Sequence, residues 1–354
     1  MKNKTEPINI VLASDQTYYI GLWVTLVSLL SNTKTKSVIN FFIFDGGINK
    51  KSKIKLLKKL KEINKNISIS YLDPQLDEFK DPSSAYLSDR MSEKSAGFLS
   101  YSSIMIPKRF NNLDKAIYLD VDLLILMDIE LLWNTKMDGK PIAAVIDYFP
   151  DYTKYNDIQN PSKYSIDLNS SYYNTGVLLY DIKALNQFDF IEKCQNYLHN
   201  EDRKNFSYND QSAINVVMNN NFHTLDNNFN FLNGFLLQKI HKENLTAELD
   251  FFNHQQYIFH FTTHKYWKYY SPNFHCELFY FFLRKYKYHD KFKAYNNPLK
   301  FKIKLSIKKI LISINYKGIL NVFFSSKTAL IEIEKADFIK KNKRQMYRRF
   351  HELS

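Results

Sequence analysis

The apolar positions of this chain fall into short β-branched runs that alternate with stretches of helical period. "INIVLA" (residues 8–13) reads as a buried strand closed by Ser14 and Asp15, and "YIGLWVTLVSLLSN" then carries apolar residues at helical intervals. "VINFFIFDGG" predicts a second strand with a Gly46-Gly47 exit. "KKSKIKLLKKLKEIN" predicts a basic helix with Ile54, Leu57, Leu60 and Ile63 on one stripe, followed by the strand "ISISYL". This β-α-β-α-β order predicts an α/β fold with a mostly parallel sheet covered by helices on both faces.

Further along, "GFLSYSSIMIP" leads into "AIYLDVDLLIL" (residues 116–126), an apolar strand run, and "PIAAVIDY" predicts another strand. A polar loop of about 150–170 precedes the strand in "SYYNTGVLLYDIKAL". "YNDQSAINVVMN" reads as a short helix, and "YIFHFTTHKYWKYY" as a strand running into an aromatic loop. Beyond Asn297, Leu299, Ile303, Ile307, Ile310, Leu311 and Ile314 fall on one helical stripe among lysines, although Leu299–Ile307 also alternates as a strand would. "FIKKNKRQMYRRF" reads as a terminal basic helix. With only 8 glycines and no GxGxxG or GxxxxGK[ST] stretch, glycine-cradled phosphate folds are disfavoured.

Composition narrows the class. With 354 residues, 45% of them hydrophobic, the chain can bury a large core and is not of the disordered type. Two cysteines, Cys194 and Cys276, without CxxC spacing, favour a reducing compartment over a cysteine metal site. The N-terminus reaches Asp15 before any apolar stretch of signal-peptide length, and "IGLWVTLVSLL" is far below the roughly 20 residues of a membrane span. A cytoplasmic, non-spanning protein is the expectation.

The net charge of +13 is concentrated at one end: residues 291–354 hold 16 Lys+Arg against 4 Asp+Glu, or +12. A pI of about 9.3 with many aromatics raises nucleic-acid binding as a competing function. The near-neutral first 290 residues count against a broad basic groove, so no nucleic-acid partner is expected.

Asp120 and Asp122 interrupt an otherwise continuous apolar run. In an extended segment they would point to the same side. An oxygen-rich pair suits Mg²⁺ or Mn²⁺, whereas capping of a following helix or pairing with lysine is the plainer account. His260, in "IFHF", is by itself an ordinary core histidine, but His264, Lys265 and Trp267 crowd the loop after it. A cation with an imidazole and an ammonium would suit a diphosphate. Asp15, Asn174-Thr175-Gly176 and Asp210-Gln211 are further polar breaks, each readable alone as a turn or cap.

Taken in order, "INIVLASDQTYYIGLWVTLVSLL", "LDKAIYLDVDLLILMDIELLW", "AAVIDYF", "SYYNTGVLLYDIKALN", "YNDQSAIN", "NNFNF" and "FHFTTHKYW" resemble the family-8 glycosyltransferases. That group contains bacterial lipopolysaccharide galactosyl- and glucosyltransferases and glycogenin. The resemblance spans roughly residues 8–270. It implies a GT-A fold, a UDP-sugar donor, a Mn²⁺-type cofactor (with Mg²⁺ as alternative) and retention of anomeric configuration. Asp120, Asp122 and His260 would be the metal ligands. Ala13, Asp15 and Tyr18 would line the uridine site, and Lys265 would reach the diphosphate. Asp147, Asn174, Asp210 and Gln211 would surround the donor sugar, with Gln211 at the family's candidate nucleophile position. A neutral amide is a poor nucleophile, which favours front-face transfer with Gln211 acting by its dipole.

Four residues depart from the family pattern. Ser103 stands where the family usually has an arginine on the donor, Thr263 and Tyr266 replace a Gly and a Pro, and Thr17 replaces a common Asn. A catalytically silent UDP-sugar binder is therefore the alternative to a hexosyltransferase that adds galactose or glucose to a bacterial surface glycan such as lipopolysaccharide. UDP-N-acetylhexosamine stays open as donor. The basic tail resembles, in type, the membrane-proximal tails of the lipopolysaccharide enzymes. The expected organisation is a GT-A catalytic domain over 1–275 and a basic region over 276–354. The expected partner of 291–354 is an anionic membrane surface, with the protein peripheral on the inner face of the plasma membrane.

Overall fold

The computed structural model describes residues 6–75, 99–151, 164–200, 209–232, 256–262, 265, 267 and 274–288. The basic tail 291–354, Thr263, His264 and Tyr266 lie outside the described residues. The chain divides into two compact units, Met1–Leu232 with Tyr257–His260, and Asn233–Gln256 with Phe261–Ser354.

The first unit begins with the predicted alternation: β1 (Ile8–Ser14), α1 (Tyr19–Asn32), β2 (Ile39–Asp45), α2 (Lys50–Ile63) and β3 (Ile67–Leu72). A one-turn helix α3 (Ile106–Arg109) precedes β4 (Lys115–Leu119), β5 (Leu123–Ile125) and α4 (Ile129–Trp133). Then come β6 (Ile142–Asp151), β7 (Ser171–Asp181), α5 (Ile182–Gln187), α6 (Phe190–Asn200), α7 (Asn209–Val217) and β8 (Phe222–Thr224). β9 (Phe231–Leu232) and β10 (Ile258–His260) complete it.

Seven strands form one sheet in the order β3-β2-β1-β4-β7-β6-β8. Its pairings are parallel except for the two made by β7, so β7 runs against the other six. β5, β10 and β9 form a second, three-stranded sheet. The carboxyl ends of β1 and β4 open on one edge, where parallel α/β sheets bind ligands.

Two readings from the sequence need correction. "AIYLDVDLLIL" is not one strand: β4 ends at Leu119 and β5, in the other sheet, starts at Leu123. Asp120–Asp122 is the crossing between sheets, and the Asp120 N–H continues the ladder by donating to Gly176 O at 2.8 Å. In α2, Ser52, Leu56 and Leu60 face inward at i, i+4, i+8, while Ile54 and Leu57 are 60% and 41% exposed. The i+4 row lies nearer the axis of a 3.6-residue helix than the i+3 row chosen from the sequence, and Lys55 covers the Trp23 ring at 5.6 Å.

Helix α1 is buried on nearly every face from Tyr19 to Leu30, and its few polar side chains have a defined use. Thr25 Oγ1 donates to Leu123 O (3.0 Å), Ser28 Oγ accepts from Ile125 N (3.0 Å), and Asn32 Nδ2 donates to Ile125 O (2.9 Å). Spaced at i, i+3 and i+7, they lie along one stripe and take the place of a neighbouring strand for β5. These side chains partner the backbone groups of Leu123 and Ile125 on this edge and hold the segment after Asp122 in place.

In the second unit, helix α8 (Phe274–Lys285) follows, and Phe279 stacks on the buried Trp267 ring at 5.7 Å. Cys194 and Cys276 are buried free thiols. Among the described residues, no helix is long and apolar enough to cross a membrane.

Candidate active site and metal centre

The break between β4 and β5 puts Asp120 at the end of one sheet and Asp122 at the start of the other. In the antiparallel β5–β10 pair, His260 is opposite Leu123, beside Asp122. His260 Nε2 consequently lies 3.6 Å from Asp120 Oδ2 and 3.4 Å from Asp122 Oδ1. One donor atom from each of the three residues falls within 4.8 Å of the others.

Asp122 and His260 are buried, and Asp120 is half-buried. Burial, reinforced by the Asp122 charge, raises the Asp120 carboxyl above the usual carboxylate range, and the Tyr118 hydroxyl holds its Oδ1 at 3.0 Å. Two carboxylates and an imidazole so placed carry negative charge that is costly to bury unpaired. This oxygen-rich set with one nitrogen fits a hard or borderline divalent cation.

Gly176 supplies the space. A Cβ there would lie 2.2 Å from His260 Cε1 and 2.9 Å from Asp120 Oδ2, closer than any side chain tolerates. The sequence marked this glycine as part of the Asn174-Thr175-Gly176 polar break within a predicted strand segment; it lies inside β7, and the ligands occupy the position of its missing side chain.

A second polar cluster adjoins the first. Asp147 Oδ2 accepts from Asn174 Nδ2 and from Gln211 Nε2, both at 3.0 Å. Gln211 Oε1 accepts from Thr175 N at 3.2 Å and Asn174 Nδ2 at 3.3 Å. Four residues on, Asn215 Oδ1 accepts from Tyr173 N at 2.7 Å. Two side chains one helical turn apart on α7 thus meet two amides two residues apart on β7, where the β6–β7 register is irregular. That match sets the orientation of the Gln211 amide.

Asp210, half-buried at the start of α7, has its carboxyl raised by burial, partly offset by hydrogen bonds from Ser100, Ser103 and backbone N–H groups. Ser103 is fully buried, and its hydroxyl also lies 2.9 Å from Ser100 O. The position expected to hold arginine therefore offers Asp210 a neutral hydroxyl.

At the end of β1, Asp15 is buried and its Oδ1 accepts from Tyr18 N at 2.8 Å, which orients the entry to α1. Ala13 and Tyr18 are half-buried beside it in the chain. Lys265 belongs to the second unit, where its ammonium donates to Phe261 O at 2.8 Å.

Asn230 was missed as an individual residue. It ends the short 3₁₀ turn Asn227–Asn230, is fully buried, and touches both clusters: His260 Nδ1 at 3.0 Å and Asn174 Oδ1 at 2.7 Å. The signal available was a polar residue between two phenylalanines in "NNFNF".

A Haemophilus influenzae protein assigned as a glycosyltransferase is 28% identical over 232 residues, 64% of each chain. Glycosyltransferase GlyF of Streptococcus pneumoniae is 24% identical over 266 residues, 74% of this chain and 58% of GlyF. The matches span less than two thirds of these relatives' lengths. Galactosyltransferase LgtC, solved in complex with donor and acceptor sugar analogues, superposes with a TM-score of 0.62 at 20% identity, covering 78% of this chain and 96% of LgtC. The fold is GT-A, as expected. Residues 9–271 match the profile of glycosyl transferase family 8. The chain belongs to glycosyl transferase family 8.

Proposed function

We propose that this glycosyltransferase is a retaining, metal-dependent hexosyltransferase that moves galactose or glucose from a UDP-sugar to a bacterial surface glycan, lipopolysaccharide or lipooligosaccharide in class. The observation that carries the reading is the convergence of Asp120, Asp122 and His260 next to the Asp147–Asn174–Gln211 cluster.

Asp120, Asp122 and His260 would hold Mn²⁺, or Mg²⁺ in its place, and the bound ion would supply positive charge to a diphosphate leaving group. Asp15 would bind the uracil edge with Tyr18 against the ring, and Ala13 leaves room for the base. Asp147, Asn174 and Asp210 would accept and donate hydrogen bonds at the sugar hydroxyls. The C1–O bond to UDP breaks as the acceptor oxygen bonds to C1 on the same face, and the acceptor proton passes to the departing diphosphate. Gln211 does not act as nucleophile in this scheme: its amide is neutral and held from both ends. Its fixed dipole would favour positive charge developing at C1.

The basic region, taken as 276–354 with the catalytic domain over 1–275, would bring the enzyme to an anionic inner membrane face. Support comes from the +12 charge of residues 291–354. Retained vesicle binding after truncation at Asn297 would refute that role.

A donor screen reads the function directly: UDP release with Mn²⁺ across UDP-galactose, UDP-glucose and UDP-N-acetylhexosamines. Mn²⁺-dependent release highest with one of the first two is expected. UDP binding without release from any donor would instead favour the silent-relative reading that Ser103 raises.

A further inference from the structure

Buried amides can be oriented by working outward from groups whose roles are fixed. The Gly176 backbone N–H can only donate, and it lies 3.0 Å from one terminal atom of the Asn174 amide, which is therefore the oxygen. The other terminal atom faces Asp147 Oδ2 at 3.0 Å, as a nitrogen should. Asn230 approaches the same Asn174 oxygen at 2.7 Å and must do so with its NH₂. Its own oxygen is then turned to His260 Nδ1, 3.0 Å away. An amide oxygen only accepts, so Nδ1 carries a proton. In the neutral ring, Nε2 is left with its lone pair directed to Asp120 Oδ2 and Asp122 Oδ1.

We propose that Asn230 is a positioning residue that locks His260 in the Nδ1–H tautomer and, through Asn174, joins the metal ligands to the Asp147–Gln211 pair as one hydrogen-bonded unit. A ligand histidine with the other tautomer would present N–H instead of a lone pair to the ion. The coupling to Asn174 makes ligand orientation and sugar-side orientation interdependent. The role in ion binding rests on the proposed metal reading, whereas the tautomer assignment does not.

The test uses the full chain, metal-free and ¹⁵N-labelled at histidine, at a pH alkaline enough for neutral imidazole, with His260 assigned by signal loss in His260→Gln. Nδ1–H is expected in the wild type and in Asn230→Asp, which keeps an acceptor toward the ring. A dominant Nε2–H signal in the wild type would overturn the proposal. Mn²⁺ binding followed by electron paramagnetic resonance gives the second readout. Asn230→Leu should bind Mn²⁺ at least about tenfold more weakly. Asn230→Asp should bind no more weakly than wild type, yet release UDP more slowly because it no longer donates to Asn174. Wild-type affinity in Asn230→Leu would also overturn the proposal. If Asn230→Leu does not fold, the wild type and Asn230→Asp still decide the tautomer. Failure of the wild type to bind Mn²⁺ would count against the metal reading, with the tautomer decided separately by the nitrogen signals.

Discussion

Gly176 and His260 interlock: a methyl group on Gly176 would lie 2.2 Å from the imidazole Cε1 and 2.8 Å from Nδ1. Gly176→Ala therefore has to displace the histidine or bend β7. Its Mn²⁺ affinity should fall at least about tenfold, with a stability loss of about 1–3 kcal/mol from overpacking. Mn²⁺ titration alongside urea unfolding checks both, and unchanged affinity would mean that His260 is not held against this strand.

Ser28 offers a test of how the Asp122 segment is kept in register. Its hydroxyl accepts from Ile125 N and donates to Thr25 O, both at 3.0 Å in a dry environment. Ser28→Ala leaves the Ile125 amide without that acceptor and should cost about 1–3 kcal/mol in urea unfolding. A variant as stable as wild type would show that β5 does not depend on α1 for this bond.

Acid stability should reflect His275, which is buried in α8 and whose imidazole burial depresses from 6.5 to about 3. Between those values the unfolded chain binds a proton that the folded chain refuses. Stability from this group is thus intact above pH 6.5 and falls as pH drops toward 3, by up to about 1.4 kcal/mol per pH unit. His275→Leu should flatten the dependence of unfolding free energy on pH over pH 7 to 4. Equal slopes for the two proteins would contradict this assignment.

The strands β1 to β3 were legible because each is a local apolar run bounded by polar residues, and the parallel order followed from the intervening helical period. Asp120 and Asp122 were legible for the opposite reason, as charges inside such a run. Their actual geometry was not: that β4 and β5 belong to different sheets depends on α1 and β10, which are remote in sequence. The same limit hid Asn230, whose importance lies in contacts with Asn174 and His260, 56 and 30 positions away. In α2 the error was local, since two apolar rows exist and only packing against the first unit's core selects Leu56 and Leu60.

The central claim is that Asp120, Asp122 and His260 form the metal centre of a UDP-sugar transferase. It is tested most directly by the rate of UDP release from the preferred UDP-sugar, measured with Mn²⁺ and with chelator, for wild type and Asp122→Ala. Loss of activity with chelator, restoration by Mn²⁺, and a decrease of at least about 100-fold in Asp122→Ala are predicted. An Asp122→Ala enzyme that releases UDP at the wild-type rate, with or without Mn²⁺, would contradict the account.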